Sequence, residues 1–69
     1  MTEKELLYLE DAIKHESNII SIITDTINNL EDEKIKDFME NKLNEHIAFK
    51  VELVSFLEEY ANEWSIIYG

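Results

Sequence analysis

Residues 27–33, Ile27-Asn28-Asn29-Leu30-Glu31-Asp32-Glu33, decide the fold because they hold the one turn signal of this 69-residue chain. Asn28-Asn29 is the turn-like dipeptide, and the acidic run Glu31-Asp32-Glu33 suits the positive end of a helix dipole. The chain has no Pro, and its single Gly is residue 69, so nothing on either side of the turn breaks a helix. We therefore expect one helix to end and another to begin here.

The segment before the turn has the pattern of an amphipathic helix. Thr2 followed by Glu5 matches a capping box, which predicts a helix over about residues 3–29. Its apolar residues recur at intervals of three, four and seven, which keeps one face buried. This first apolar stripe comprises Leu6, Leu9, Ile13, Ile20, Ile23, Ile27 and Leu30.

The segment after the turn predicts a second, longer helix, from about Asp32 to Trp64. Aromatic residues at helical spacing dominate its stripe, which is typical of core packing. This second apolar stripe comprises Ile35, Phe38, Met39, Leu43, Phe49, Leu53, Phe56, Leu57, Tyr60, Ala61 and Trp64. Residues 65–69 are apolar enough to form an extra turn or to pack against a partner.

The fold class that follows is all-α, an antiparallel two-helix hairpin that occupies residues 1–69 as a single domain. The turn is short, so the helices must lie side by side and antiparallel. A core this small rarely supplies more than about 3–5 kcal/mol, and two helices leave part of each broad stripe exposed. We therefore expect a homodimer, a four-helix bundle with two-fold symmetry.

Composition excludes several classes of function. The chain carries 16 acidic and 6 basic residues, a formal net charge of −10, so direct binding to nucleic acid or to an anionic membrane is disfavoured. It has no Cys, and therefore no disulfide or thiolate metal site. No transmembrane run or signal peptide is evident, which favours a cytoplasmic protein. No nucleophile motif or phosphate-binding loop is present, so we expect no enzymatic activity.

Two ionisable residues fall inside the apolar arcs on a helical wheel, Glu16 in the first helix and His46 in the second. Both lie at a similar distance from the turn, so an antiparallel hairpin brings them face to face. Carboxylate and imidazole groups from facing helices are ligands with which bundles hold iron, manganese or zinc. The alternative is a buried structural pair that fixes the helix register. No other cofactor is expected.

The segments Leu7-Tyr8-Leu9-Glu10-Asp11-Ala12-Ile13-Lys14-His15-Glu16 and Leu43-Asn44-Glu45-His46-Ile47-Ala48-Phe49 resemble the first two helices of ferritin-like proteins. Rubrerythrins and small spore-coat-like proteins of that superfamily are the nearest resemblance. In that family a glutamate in the first helix and a Glu-x-x-His pair in the second supply half of a di-iron site. The resemblance implies metal-ligand roles for Glu16 and His46. The position three before His46 is Leu43, so the bridging carboxylate is missing.

Three functions remain open at this point. The first is a non-enzymatic, ferritin-like hairpin dimer that acts through protein–protein contact, and the second is a metal-binding bundle that uses Glu16 and His46. The third is an acidic inhibitor or DNA mimic, whose carboxylates imitate phosphates and occupy a basic protein surface. The acidic surface of the second helix includes Glu31, Asp32, Glu33, Asp37, Glu40, Glu52, Glu58, Glu59 and Glu63.

Overall fold

Two helices and the short segment between them make up the fold. The computed structural model describes the backbone of residues 1–68 and the side chains of residues 1–62. Helix α1 spans Glu3–Asn29 and helix α2 spans Glu33–Tyr68, and the two pack into a rod of 53 × 17 × 14 Å. The all-helical hairpin agrees with the sequence, and no strand occurs within residues 1–68.

Helix α1 begins with the capping box that the sequence predicts. The Thr2 hydroxyl accepts the Glu5 backbone N–H at 3.1 Å, and the Glu5 carboxylate accepts the Thr2 N–H at 2.9 Å. At the other end, the Asn29 side chain donates to the Asp25 carbonyl, one turn earlier in the helix. The helix ends where Leu30 turns to an extended conformation, with φ −87° and ψ 140°.

Helix α2 is capped by Asp32, whose carboxylate accepts the Ile35 N–H at 3.0 Å and whose carbonyl accepts the Lys36 N–H. The helix continues beyond Trp64, the predicted end, to Tyr68. The side chain of Trp64 and the predicted packing of residues 65–69 lie outside the described part of the chain.

A seam of alternating three- and four-residue spacings joins the two helices. Its members are all buried or half-buried, which is the pattern of an antiparallel coiled coil. In α1 the seam comprises Leu6, Leu9, Ile13, Glu16, Ile20, Ile23, Ile27 and Leu30. In α2 it comprises Lys36, Met39, Leu43, His46, Lys50, Leu53, Leu57 and Tyr60.

The first apolar stripe coincides with the seam of α1, but the second stripe was placed too broadly. Ile35, Phe38, Phe49, Phe56 and Ala61 are exposed in the hairpin rather than packed between the helices. Lysines take two seam positions instead, and their apolar stems cover the opposite helix while the ammonium groups reach water. Within the described side chains, only Ile23 and Glu16 are buried, and each of them is still 9% exposed. The core of a single hairpin is therefore shallow.

Among the described residues, neither helix carries an apolar stretch long enough to span a lipid bilayer.

Loss of the capping box should destabilise the hairpin measurably. Thr2→Ala removes the acceptor for the Glu5 N–H, and we expect the free energy of unfolding to fall by about 1 kcal/mol in thermal melts followed by circular dichroism. Thr24→Ala is the matched control, because the Thr24 hydroxyl donates to the Ile20 carbonyl within the helix and caps nothing. Equal losses in both variants would contradict a specific capping role.

A variant of Glu5 reports the pH dependence of the cap. The Thr2 backbone N–H, and secondarily its hydroxyl, hold the pKa of Glu5 below its ordinary value. A carboxyl group whose pKa is lower in the folded state than in the unfolded state stabilises the fold at pH values above its unfolded-state pKa. That stabilisation is lost as the pH falls through the folded-state pKa. The difference in melting temperature between the wild type and Glu5→Ala, which lacks this carboxylate, should therefore shrink in acid.

Candidate functional site

The seam brings Glu16 and His46 together at the middle of the hairpin. His46 Nδ1 lies 2.6 Å from Glu16 Oε2, although thirty residues separate them in the chain. The Glu16 side chain is 11% exposed and that of His46 is 33% exposed. The pairing predicted from the sequence is therefore present, at the heart of the helix–helix contact.

The pair is chemically complete as a hydrogen-bonded unit. A carboxylate can only accept, so with Glu16 in that form the hydrogen of this bond is carried by His46 Nδ1. No buried side-chain nitrogen or oxygen lacks a hydrogen-bond partner in the described residues. A short bond that involves a charged group is stronger than a neutral one. The pair therefore satisfies its own buried atoms without further help.

Lys42 does not join this pair, although the sequence places it one turn away. Its ammonium lies 3.3 Å from Glu45 Oε2 and 5.5 Å from the centre of the Phe38 ring. Another surface pair, Asp11 and His15, lies on the outside of α1 at 3.3 Å with both side chains about two-thirds exposed. Exposed pairs of this kind contribute little to stability.

As a metal site, one hairpin offers only Glu16 and His46. No group of three or more His, Asp or Glu side chains that could hold an ion forms within the described residues. Leu43, the seam position before His46, supplies no donor. Further ligands for an ion would have to come from a second copy of the chain.

An exposed apolar surface flanks one side of the seam. We call it the aromatic face, and it comprises Tyr8, Ile22, Ile35, Phe38, Phe49 and Phe56. Each of these side chains is between 47% and 65% exposed. Tyr8 and Phe56 line one concavity together with Met1, Glu5 and Leu9, so both helices contribute to this face.

The opposite side of the seam holds a second, aliphatic surface, whose residues in α2 are absent from the predicted second stripe. An open groove of about 530 Å³ is lined by Ile20, Ile47, Lys50, Val51, Val54, Ser55 and Glu58. We call it the aliphatic groove. Ile47, Val51 and Val54 follow one another at spacings of four and three, a signal that could have identified a second helix stripe from the sequence.

Comparison with known proteins gives no family for this chain. No family model, no curated protein and no solved structure matches it. The ferritin-like resemblance stays a prediction, and a functional proposal must rest on the two apolar surfaces and the Glu16–His46 pair.

Removal of one member of that pair should cost more than removal of both. Glu16→Ala leaves the half-buried imidazole of His46 without an acceptor, and we expect urea unfolding to show a loss of roughly 1–3 kcal/mol. Glu16→Leu/His46→Leu fills both seam positions with apolar side chains, and this variant should equal or exceed the wild type in stability.

The surface variant His15→Ala is the control, with an expected change of less than about 0.5 kcal/mol. All proteins are compared at one concentration, because dimerisation would make stability depend on it. If Glu16→Leu/His46→Leu is as unstable as Glu16→Ala, the pair contributes more to stability than the mutual hydrogen bonding of its two polar groups.

Proposed function

We propose that this protein acts by protein–protein contact and that its first partner is a second copy, which packs on the aromatic face to complete a four-helix bundle. The observation that carries the proposal is the exposure of that face. Tyr8 is 65% exposed, Phe38 58% and Phe56 52% in the single hairpin. Apolar patches of this extent on small proteins mark interaction surfaces.

Energetics favours association. The hairpin alone buries little apolar surface, and each large apolar side chain that becomes buried contributes about 1.5–3 kcal/mol. Burial of the aromatic face in both copies counters an association cost on the order of 4–15 kcal/mol. Aromatic anchors at the centre of an interface are also the side chains that contribute most to affinity.

The aromatic face is self-complementary along α2. A two-fold axis that crosses α2 near Ile47 would set Phe38 level with Phe56 of the second copy. The same axis would set Lys42 level with Glu52 of the second copy, so one opposite-charge pair joins each aromatic pair. An isologous interface requires such reciprocity.

The net charge of −10 on each chain opposes this dimer. Repulsion between charges at the surface is screened by salt, whereas apolar contacts are not. Self-association should therefore tighten as ionic strength rises.

Sedimentation equilibrium tests the dimer directly. The wild type should have twice the mass of one chain, and Phe49→Gln/Phe56→Gln should weaken self-association by about a hundredfold, because it removes two aromatic anchors without a change in charge. Ile47→Gln/Val51→Gln, on the aliphatic groove, is the matched control and should remain a dimer. A monomeric wild type, or equal effects of the two variants, would reject the aromatic face as the interface.

A metal-binding bundle is the second candidate, and the position of the Glu16–His46 pair favours it. The two-fold axis proposed above lies level with His46. Two carboxylates and two imidazoles would then lie at one height of the bundle, a ligand set suited to a divalent ion. Under this alternative the ion stabilises the dimer, since binding to the folded form alone raises stability.

Chelation separates the two candidates. If contact alone is the function, the dimer should keep its fold and melting temperature after exhaustive treatment with EDTA, and elemental analysis should find no stoichiometric iron, manganese or zinc. A melting temperature that falls on chelation and recovers with zinc would instead support the metal site. That recovery should then be absent in Glu16→Ala and intact in His15→Ala, whose imidazole is at the surface.

A further inference from the structure

The aliphatic groove lies on the side of the seam away from the aromatic face, so a dimer built on that face leaves the groove open. Ile20 of α1 forms one wall, and Ile47, Val51 and Val54 of α2 form the other. Val51 is 63% exposed and Ile47 is 42% exposed. The groove therefore offers apolar contacts that the hairpin itself does not use.

Acidic residues close both ends of this stripe. Glu58 lies one turn after Val54 and lines the groove itself. Glu40 lies two turns before Ile47 on the same side of α2, and both glutamates are exposed. The two carboxylates are about 27 Å apart along the helix axis, at 1.5 Å per residue. An apolar centre with an anionic group at each end is a specific pattern for a ligand to match.

We propose that the aliphatic groove docks an amphipathic helix of about five turns that carries apolar residues at its centre and Lys or Arg at both ends. This inference rests on the proposed role in protein contact and names the chemistry of a second partner. The partner helix places apolar side chains at i, i+4 and i+7 against the aliphatic wall. Its basic ends meet Glu40 and Glu58, which fixes its position along the groove.

A second copy of this chain is a less favourable occupant of the groove than a basic helix. An isologous pairing with its axis near Phe49, at the centre between Glu40 and Glu58, would bring these carboxylates of one copy against those of the other, and like charges across an interface are unfavourable. The formal net charge of −10 also makes a basic partner electrostatically more favourable than another acidic one. Charge complementarity thus selects a basic helix as the occupant.

Lys50 adds one further constraint on the partner. It lines the groove and is half-buried in the seam, so its stem extends the apolar floor while its ammonium group adds one positive charge near the centre. The partner residue that faces Lys50 should therefore be neutral or acidic. Basic charge belongs only at the two ends.

Fluorescence anisotropy with three labelled peptides tests the inference on the intact protein. The first peptide has Leu at i, i+4 and i+7 in its centre and Lys at both ends, the second replaces each Lys by Glu, and the third replaces each Leu by Gln. We expect the first peptide to bind about tenfold or more tightly than either of the others. Its affinity should fall with added salt, because the ends bind through charge.

Variants of the protein locate the site. Ile47→Gln/Val51→Gln should weaken the first peptide about tenfold or more, and Glu40→Gln/Glu58→Gln should weaken it and flatten its salt dependence. Phe49→Gln/Phe56→Gln should bind it as the wild type does. The glutamate variant changes only exposed side chains, so it remains informative if the groove variant does not fold.

Several outcomes would overturn the inference. They are no binding of the first peptide, equal binding of the first and third peptides, and unchanged binding by the groove variant. Loss of the dimer in Ile47→Gln/Val51→Gln would show that a second copy covers the groove. If Phe49→Gln/Phe56→Gln stays dimeric and only Ile47→Gln/Val51→Gln weakens peptide binding, the proposed dimer interface fails and the docking site stands. If the aromatic variant is instead monomeric and the first peptide does not bind, the proposed dimer interface stands and the docking site fails.

Discussion

The whole structure depends on the limited width of one helix–helix seam. Two antiparallel helices can bury only the row of side chains that points between them, with alternate spacings of three and four residues. This chain carries more apolar residues than that row can hold. The surplus lies on the two flanks of the seam, as the aromatic face on one side and the aliphatic groove on the other. The proposal that this protein acts through partners rests on this geometry.

Much of the fold could be predicted from the sequence, because local signals define it. The Thr2–Glu5 capping box gives the start of α1, and the Asn28-Asn29 dipeptide gives its end. The antiparallel pairing then follows from the short turn. Equal distance from the turn was also enough to predict that Glu16 and His46 meet. These are features for which a short stretch of chain contains all of the physical information.

Which residues of α2 face α1 could not be predicted in the same way. A helical wheel centres the stripe on the bulkiest residues, and in α2 those are aromatic residues such as Phe38, Phe49 and Phe56. The structure instead turns Lys36 and Lys50 into the seam, because pairing with α1 selects the row with the strict seven-residue repeat. A straight wheel drifts by about 20° per heptad from that repeat, which is enough to confuse neighbouring rows over a long helix. Which surface contacts a partner is likewise not a local property.

The segment between the helices has a consequence for domain swapping. From Leu30 to Lys36 the seven-residue pattern is displaced by two positions, and all backbone angles there are open to any residue type, with no positive φ among the described residues. If the segment became helical, one long rod would carry its two seams on nearly opposite sides, about 200° apart. Such a rod could not exchange helices with a neighbour and recover both contacts. The break in phase therefore disfavours domain swapping through one continuous helix.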